Sequence, residues 1–191
     1  MCRRSTPTSI WTCRRWRRRD ALPDLIVLGI DPGTATTGYG VVESGDARGH
    51  RLIECGVIRT PARAPLAERL NEIFDGVCEV IQRHNPDAIA VEDVFYAHNV
   101  RTTVVLGHAR GVILLAGQRA GLAIHEYPPA TIKKTVVGRG AATKEQVQFM
   151  VTRLLRLKSP PQPADAADGV ACALTCLLSA NIAKLREQAL R

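Results

Sequence analysis

The chain has 191 residues, of which 46% are hydrophobic and 23% are charged, a composition typical of one globular domain with a substantial core. No apolar run reaches membrane-spanning length, so we expect a soluble protein with no membrane partner. The net charge of +8 is uneven, because seven arginines and two aspartates in residues 1–24 leave only +3 for residues 25–191. Any nucleic-acid binding must therefore depend on local basic patches rather than on overall charge.

Residues 1–24 show neither helical nor strand periodicity. They are either a disordered basic arm or the product of an upstream start codon, with Leu25 or Val27 as the true beginning. No apolar segment follows the arginines, which argues against a secretory signal. The six cysteines include no Cys-x2-Cys pair and lie dispersed in apolar contexts. This usage favours a reducing, cytoplasmic location.

From residue 25 onward the apolar residues alternate between strand and helix periods. Strands are predicted at 25–31, 38–43, 51–58, 87–92 and 122–127. Helices are predicted at 65–84, at 99–120, from the Thr143-x-x-Gln146 capping box onward, and from 165 to about 178. The order βββαβαβαα predicts an α/β fold with a five-stranded mixed β-sheet flanked by α-helices. We expect one domain at 25–180, preceded by the extension 1–24 and followed by a tail at 181–191.

Four carboxylates lie at the ends of these predicted elements. Asp31 ends the first strand, Glu92 ends the fourth, and Asp165 and Asp168 share one face of a helix start at spacing i, i+3. Converging carboxylates repel each other unless cations lie between them. Hard oxygen ligands without a Cys/His cluster favour Mg²⁺ or Mn²⁺, and four of them can hold two ions for phosphodiester hydrolysis.

Each carboxylate also has an ordinary structural interpretation. Asp165 suits a helix N-cap and Asp168 a partner of the helix dipole. Asp31 precedes Pro-Gly as turn residues often do, and Glu92 suits a solvated strand end. It is the joint placement of all four that favours the metal site.

Aromatic and basic side chains near these elements could contact nucleic acid. Phe95 and Tyr96 follow the Glu92 strand, where an exposed aromatic could stack on unpaired bases, although a buried Phe is equally plausible. Lys144 begins a helix, where a cation opposes the dipole, so another role is expected for it. The glycines after Asp31, at positions 33, 38 and 40, allow either a plain hairpin turn or close approach of a phosphate. Further candidate phosphate contacts are Arg101, Arg110, Lys133, Lys134 and Arg139.

The chain resembles the RuvC family of Holliday-junction resolvases in motifs that occur in the family's order over about residues 25–180. They are Gly29-Ile-Asp-Pro-Gly-Thr34, Val91-Glu-Asp-Val-Phe95 with Asn99, Leu106-Gly-His-Ala-Arg-Gly111, Lys134-Thr-Val-Val-Gly138, Lys144-x-Gln-Val-Gln148 and Ala164-Asp-Ala-Ala-Asp168. The first and last motifs together are specific, whereas either alone is weak.

This resemblance implies an RNase H-like fold and a homodimeric endonuclease that nicks four-way DNA junctions symmetrically in recombination and repair. It also implies cooperation with the RuvA-RuvB branch-migration complex. The residues that match the family's metal-binding acidic set are Asp31, Glu92, Asp165 and Asp168. By the same resemblance, Phe95 matches the aromatic that inserts into the junction, Lys144 a lysine beside the scissile phosphate, and Lys133 a second DNA contact.

The expected DNA contacts also include Tyr96, His98, Asn99, Arg101 and Lys134. His98 stands where the family often has Lys, and Arg101 offers a replacement charge nearby. For the dimer interface we expect the helix face that carries Gly107 and Gly111, because small residues permit close helix packing.

Three alternatives stay open on the sequence. The first is an RNase H-like nuclease that acts on another branched or structured nucleic acid. The second is an actin-like or sugar-kinase-like ATP-binding protein, because Gly29–Thr34 also resembles that superfamily's first phosphate loop; those proteins, however, repeat the fold in two domains. The third is a relative that binds DNA without cutting it, against which the complete set of carboxylates argues.

Overall fold

The structure is a computed structural model that describes residues 25–45, 49–93 and 100–189, with side chains described as far as residue 180. Within these ranges five strands form one mixed sheet. They are β1 (Ile26–Asp31), β2 (Thr36–Glu43), β3 (Arg51–Arg59), β4 (Ala88–Glu92) and β5 (Ala123–Tyr127). The sheet order is β3-β2-β1-β4-β5, with β1–β2 and β2–β3 antiparallel and β1–β4 and β4–β5 parallel. The five-stranded mixed sheet predicted from the sequence is confirmed.

Five helices in the described ranges cover the two faces of this sheet. They are α1 (Leu66–His84), α2 (Val100–Arg119), α3 (Pro129–Val137), α4 (Lys144–Leu154) and α5 (Ala164–Ala189). On one face α1 and α2 bury residues such as Ile73, Val77 and Ile113 against β1 and β4. On the other face α3, α4 and α5 enclose a second cluster around Leu174. None of these helices combines the length and hydrophobicity needed to cross a bilayer.

Glycines let α5 approach the sheet closely at the end that carries the acidic residues. A Cβ on Gly38 would collide with the backbone of Asp165, and a Cβ on Gly169 would lie 2.6 Å from the Cα of Tyr39. Both positions therefore require glycine because backbone meets backbone there. In this structure Gly38 is therefore needed for helix packing. A Cβ on Gly33 would instead collide with the Thr36 carbonyl in the turn between β1 and β2.

Helix α3 was missed by the sequence prediction, which took Pro128-Pro129 only as the end of a strand. Pro129 is instead the first residue of the helix, where its missing N–H costs nothing. Gly138 ends the helix in the left-handed conformation with φ 84°. The last helix also continues to Ala189, beyond the end expected near Leu178.

Candidate active site

Two of the four carboxylates lie side by side because β1 and β4 are parallel neighbours at the centre of the sheet. Ile30 of β1 is in register with Val91 of β4, so Asp31 and Glu92 end adjacent strands at the same edge. Both strands are apolar and buried up to these residues, which places the two carboxylates at the boundary between core and solvent.

The other two carboxylates come from the start of α5, with Asp165 in its first turn. Its backbone lies against β2 at Gly38, the residue paired with Asp31 in the β1–β2 ladder. Asp168 follows Asp165 by three residues and therefore projects from the same face of the helix. The exposed fraction of the side chain is 19% for Asp168 and 43% for Asp165.

Three of the carboxylates line one cavity of about 220 Å³, a volume sufficient for several water molecules or ions. The cavity is lined by Asp31, Glu92, Pro129, Ile132, Lys133, Lys144, Val147, Asp168 and Ala171. Helices α3 and α4 supply its apolar wall and both lysines. The unpredicted helix α3 therefore completes the site.

Burial and mutual repulsion raise the pKa values of these carboxyl groups. Burial first, and then the charges of Glu92 and Asp168, raise the pKa of Asp31 to about 8. Burial and the charge of Asp168 raise the pKa of Glu92 to about 7, although Lys133 and Lys144 act in the opposite direction. Burial also raises the pKa of Asp168, against the hydrogen bond from Lys144. The cavity therefore concentrates negative charge at an energetic cost.

Lys144 bridges the two carboxylates of α5 across the gap between helices. Its Nζ lies 2.7 Å from Oδ2 of Asp168 and 3.2 Å from Oδ1 of Asp165. These contacts, with Asp168 the stronger partner, raise the pKa of Lys144 above its ordinary value. The residue begins α4 directly after the Thr143 N-cap, whose capping box with Gln146 is formed as predicted. The cap thus fixes the helix start that aims this ammonium at the carboxylates.

The donor set fits a divalent metal in charge and in ligand type, since carboxylate oxygens are hard ligands and the raised pKa values mark charge that a cation would neutralise. Among the described residues, however, no three His, Cys, Asp or Glu side chains are arranged so that they could hold a metal ion together. The ammonium of Lys144 contacts two of the four carboxylates instead. A bound ion would therefore compete with this lysine for the same oxygens.

The other predicted DNA contacts are more scattered. Lys134 is exposed on α3 and is not among the residues that line the acidic cavity. Arg101 lines a separate cavity of about 280 Å³ with Thr34, Thr102, Val105 and Leu106. Four further candidates, Phe95, Tyr96, His98 and Asn99, lie outside the described residues.

Comparison with known proteins places this arrangement in a family. The family model "Crossover junction endodeoxyribonuclease RuvC" matches residues 27–176. A protein of that name from Heliobacterium modesticaldum is 48% identical over 154 residues, covering 80% of this chain and 93% of the relative.

Solved structures agree with the family match. The structure of Thermus thermophilus RuvC in complex with a Holliday junction substrate superposes with a TM-score of 0.78 at 37% identity, covering 83% of this chain and 96% of that one. The yeast mitochondrial Holliday junction resolvase Ydc2, at 16% identity, shares the fold with a TM-score of 0.59 over 85% of this chain and 86% of its own. The fold is RNase H-like, as the resemblance implied. The chain belongs to the RuvC family of crossover junction endodeoxyribonucleases.

Proposed function

We propose that this protein is a Holliday-junction resolvase, a hydrolase that introduces paired symmetric nicks into four-way DNA junctions. The observation that carries the proposal is the cavity where Asp31, Glu92 and Asp168 from three separate segments meet two lysines. Membership of the RuvC family supplies the substrate class. Such a site acts on a phosphodiester because it combines carboxylates that can hold metal with cations that can meet a phosphate.

The four carboxylates are proposed to hold two Mg²⁺ or Mn²⁺ ions. The chemistry supplied by such a bound pair is activation of the attacking water and stabilisation of the departing 3′ oxygen. Asp31 and Glu92 lie at the ends of sheet strands and provide the rigid side of the site. Asp168 faces them from α5, Asp165 joins through its contact with Lys144, and the apolar residues Ile132 and Val147 line the same cavity.

The lysines are proposed to act on the phosphate. Lys144 balances Asp165 and Asp168 in the metal-free protein, and cations that take over these carboxylates would free its ammonium for a non-bridging oxygen of the scissile phosphate. Lys133 lies on the α3 wall of the same cavity and serves as a second contact. The further DNA contacts proposed on the family resemblance are Phe95, Tyr96, His98, Asn99, Arg101 and Lys134.

A homodimer is proposed through α2. Val100, Val104, Gly107, Gly111 and Leu115 recur every three or four residues and so share one face of this helix. The three large residues are 77%, 53% and 50% exposed, and both glycines adjoin open space. Two related copies of this face would bury the apolar residues and orient two sites about a two-fold axis, which two symmetric cuts require.

Two further expectations complete the proposal. Cooperation with the RuvA-RuvB branch-migration complex is proposed on family resemblance alone. A cytoplasmic location is proposed because the described cysteines are unpaired, with Cys172 and Cys176 buried, as suits a reducing compartment.

The decisive experiment incubates the purified protein with a synthetic four-way junction labelled on each strand in turn. The expected result is a pair of nicks at symmetry-related positions with Mg²⁺ or Mn²⁺ and none in EDTA. Linear duplex DNA and an RNA–DNA hybrid of the same sequence serve as matched substrates. Equal cutting of either would favour the alternative of a nuclease for another structured nucleic acid, and an uncut junction would overturn the proposal.

A further inference from the structure

Arg110, on the α2 face of the sheet, joins the carboxylates of Asp93 and Glu126, which adjoin the ends of β4 and β5. One terminal nitrogen of its guanidinium lies 3.2 Å from Oδ1 of Asp93 and also contacts Oε2 of Glu126. The arginine side chain is only 23% exposed, about half as much as its two partners. Its Nε is buried and has no acceptor among the described residues. The guanidinium is therefore oriented by these two carboxylates.

Both partners are adjacent to residues that shape the site. Asp93 directly follows Glu92, and its backbone N–H donates to the Tyr127 carbonyl at 2.9 Å. Tyr127 is in register with Glu92 across the β4–β5 ladder and follows Glu126 in sequence. The end of β4 is thus tied to β5 through the backbone and to α2 through Arg110.

The ion pair between Arg110 and Glu126 also lies close in sequence to the helix that lines the cavity. Two residues after Glu126 comes Pro128, the N-cap of α3, whose Ile132 and Lys133 line the cavity. Without Arg110, the residue that follows Glu92 would lose its side-chain link to α2.

We propose that Arg110 is a positioning residue that fixes the Glu92 end of β4 against α2 and the start of α3. It acts through Glu92 and does not itself contact the reacting phosphate. Because α2 also carries the proposed dimer face, the same bridge connects the subunit interface with the acidic cavity. This inference rests on the proposed function, and its test separates the two.

The test compares Arg110→Gln with Arg119→Gln, which removes the same charge from an exposed position at the end of the same helix. Mn²⁺ binding to the DNA-free protein is measured by electron paramagnetic resonance, alongside the nicking rate at saturating junction. Arg110→Gln should weaken Mn²⁺ binding and slow nicking by about tenfold each, as the loss of a residue that orients a metal ligand does. Junction affinity in Ca²⁺ should be unchanged, Arg110→Lys should recover part of the loss, and Arg119→Gln should match the wild type.

Unchanged Mn²⁺ affinity in Arg110→Gln would overturn the inference, even with a lower melting temperature, because the residue would then be merely structural. A loss confined to junction affinity would make Arg110 a phosphate contact instead and would equally overturn it. If Arg110→Gln does not fold, Glu126→Gln is tested instead, because it leaves the ion pair between Arg110 and Asp93 in place. Glu126→Gln should weaken Mn²⁺ binding as well, but by less than Arg110→Gln. Unchanged Mn²⁺ binding in Glu126→Gln would overturn the inference. A wild type that binds Mn²⁺ but leaves junctions uncut would refute the proposed function alone.

Discussion

Asp31 ends the central strand of the sheet, where burial raises its pKa to about 8. Asp31→Asn should lower junction cutting by at least about a hundredfold, because the neutral amide oxygen is a weaker ligand for a divalent cation than a carboxylate. Junction binding in Ca²⁺ should persist. Melting in EDTA at pH 9 should occur at the wild-type temperature or higher, since the amide removes a buried charge that Glu92 and Asp168 repel.

A matched substitution at Asp87, which directly precedes β4 and contacts the start of β1, controls for the loss of a carboxylate. Asp87 accepts a hydrogen bond from the backbone N–H of Ile26 at 2.9 Å, and an amide oxygen can do the same. Asp87→Asn should therefore cut junctions at the wild-type rate. Wild-type cutting by Asp31→Asn would remove that residue from the proposed metal site.

Glu54 holds together a group of polar side chains between β3 and α1. Its carboxylate accepts hydrogen bonds from Tyr39 and Arg83, each at 2.7 Å, and its Oε2 lies 2.8 Å from Nε2 of His84. Burial alone would raise the pKa of Glu54, but these three partners outweigh burial and lower the pKa below its usual value of 4.5. Since the folded pKa is depressed, Glu54 stabilises the fold above pH 4.5, and the stabilisation is lost as the pH falls through the folded pKa.

Glu54→Gln should lower the free energy of unfolding at neutral pH by about 1 kcal/mol, because the amide replaces only part of this network. The deficit should shrink as acid protonates the wild-type carboxylate. Urea unfolding of both proteins from about pH 7 down to about pH 3 measures the difference. Glu72→Gln, at an exposed position of α1, is the control. A deficit that stays constant with pH would contradict the assigned role of the charge.

At the scale of elements, the contact between α5 and the sheet sets the distance between the two halves of the acidic cavity. Gly169→Ala should reduce stability by about 2 kcal/mol, because the new Cβ would lie 2.6 Å from Tyr39 Cα and force the helix outward. Asp168, one residue earlier, would move with it, so cutting should fall more than stability explains. Melting and nicking assays test this against Gly140→Ala, whose Cβ would meet no atom closer than 3.4 Å. Full activity in Gly169→Ala would show that the helix position is not critical.

A second prediction at this scale concerns the exposed face of α2. Leu115→Glu places a charge in the proposed interface, where burial without a partner is costly, and should yield monomers. Light scattering measures the mass, and the junction assay should show single nicks in place of paired ones. Gln82→Glu adds the same charge at an exposed position of α1 and should stay dimeric. A Leu115→Glu protein of unchanged dimer mass would place the interface elsewhere.

At the scale of the whole molecule, ions bound between β1, β4 and α5 would hold together elements that are far apart in sequence. Ligands that bind only the folded state stabilise it, by about 2.7 kcal/mol at a hundredfold excess over the dissociation constant. Mn²⁺ should therefore raise the melting temperature of the wild type, and EDTA should reverse the rise. Asp31→Asn should lose most of this response. An equal rise in both proteins would mean that the ions bind elsewhere.

Sequence patterns predicted the sheet and placed four carboxylates at the ends of its elements, because both depend on local signals; the structure brings three of the four into one cavity. The apolar runs that end at Asp31 and Glu92 mark buried strands, and the Thr143–Gln146 capping box marks the start of α4. Helix α3 was not predicted, because only Ile132 and Val136 of its nine residues are buried and proline began it.

Tertiary contacts could not be predicted from such signals. The pairing of Lys144 with Asp165 joins residues 21 apart on different helices, and the bridge from Arg110 to Asp93 and Glu126 joins a helix to two strands. Neither contact is marked by a local sequence pattern, because the distance between the paired side chains depends on how the helices pack. The fold and the candidate carboxylates could thus be named from the chain alone, as could Lys144 and Arg110, whereas the carboxylates that these two cations contact could not.

The carboxylates are contributed by the first strand, the fourth strand and the final helix, and this distribution has a consequence for biosynthesis. While the nascent chain is still emerging from the ribosome, Asp31 and Glu92 are already made, but α5 is not. An unfinished polypeptide therefore lacks part of the proposed metal site. On this assignment, partly synthesised copies would leave DNA uncut, because the site is assembled only after α5 has been translated.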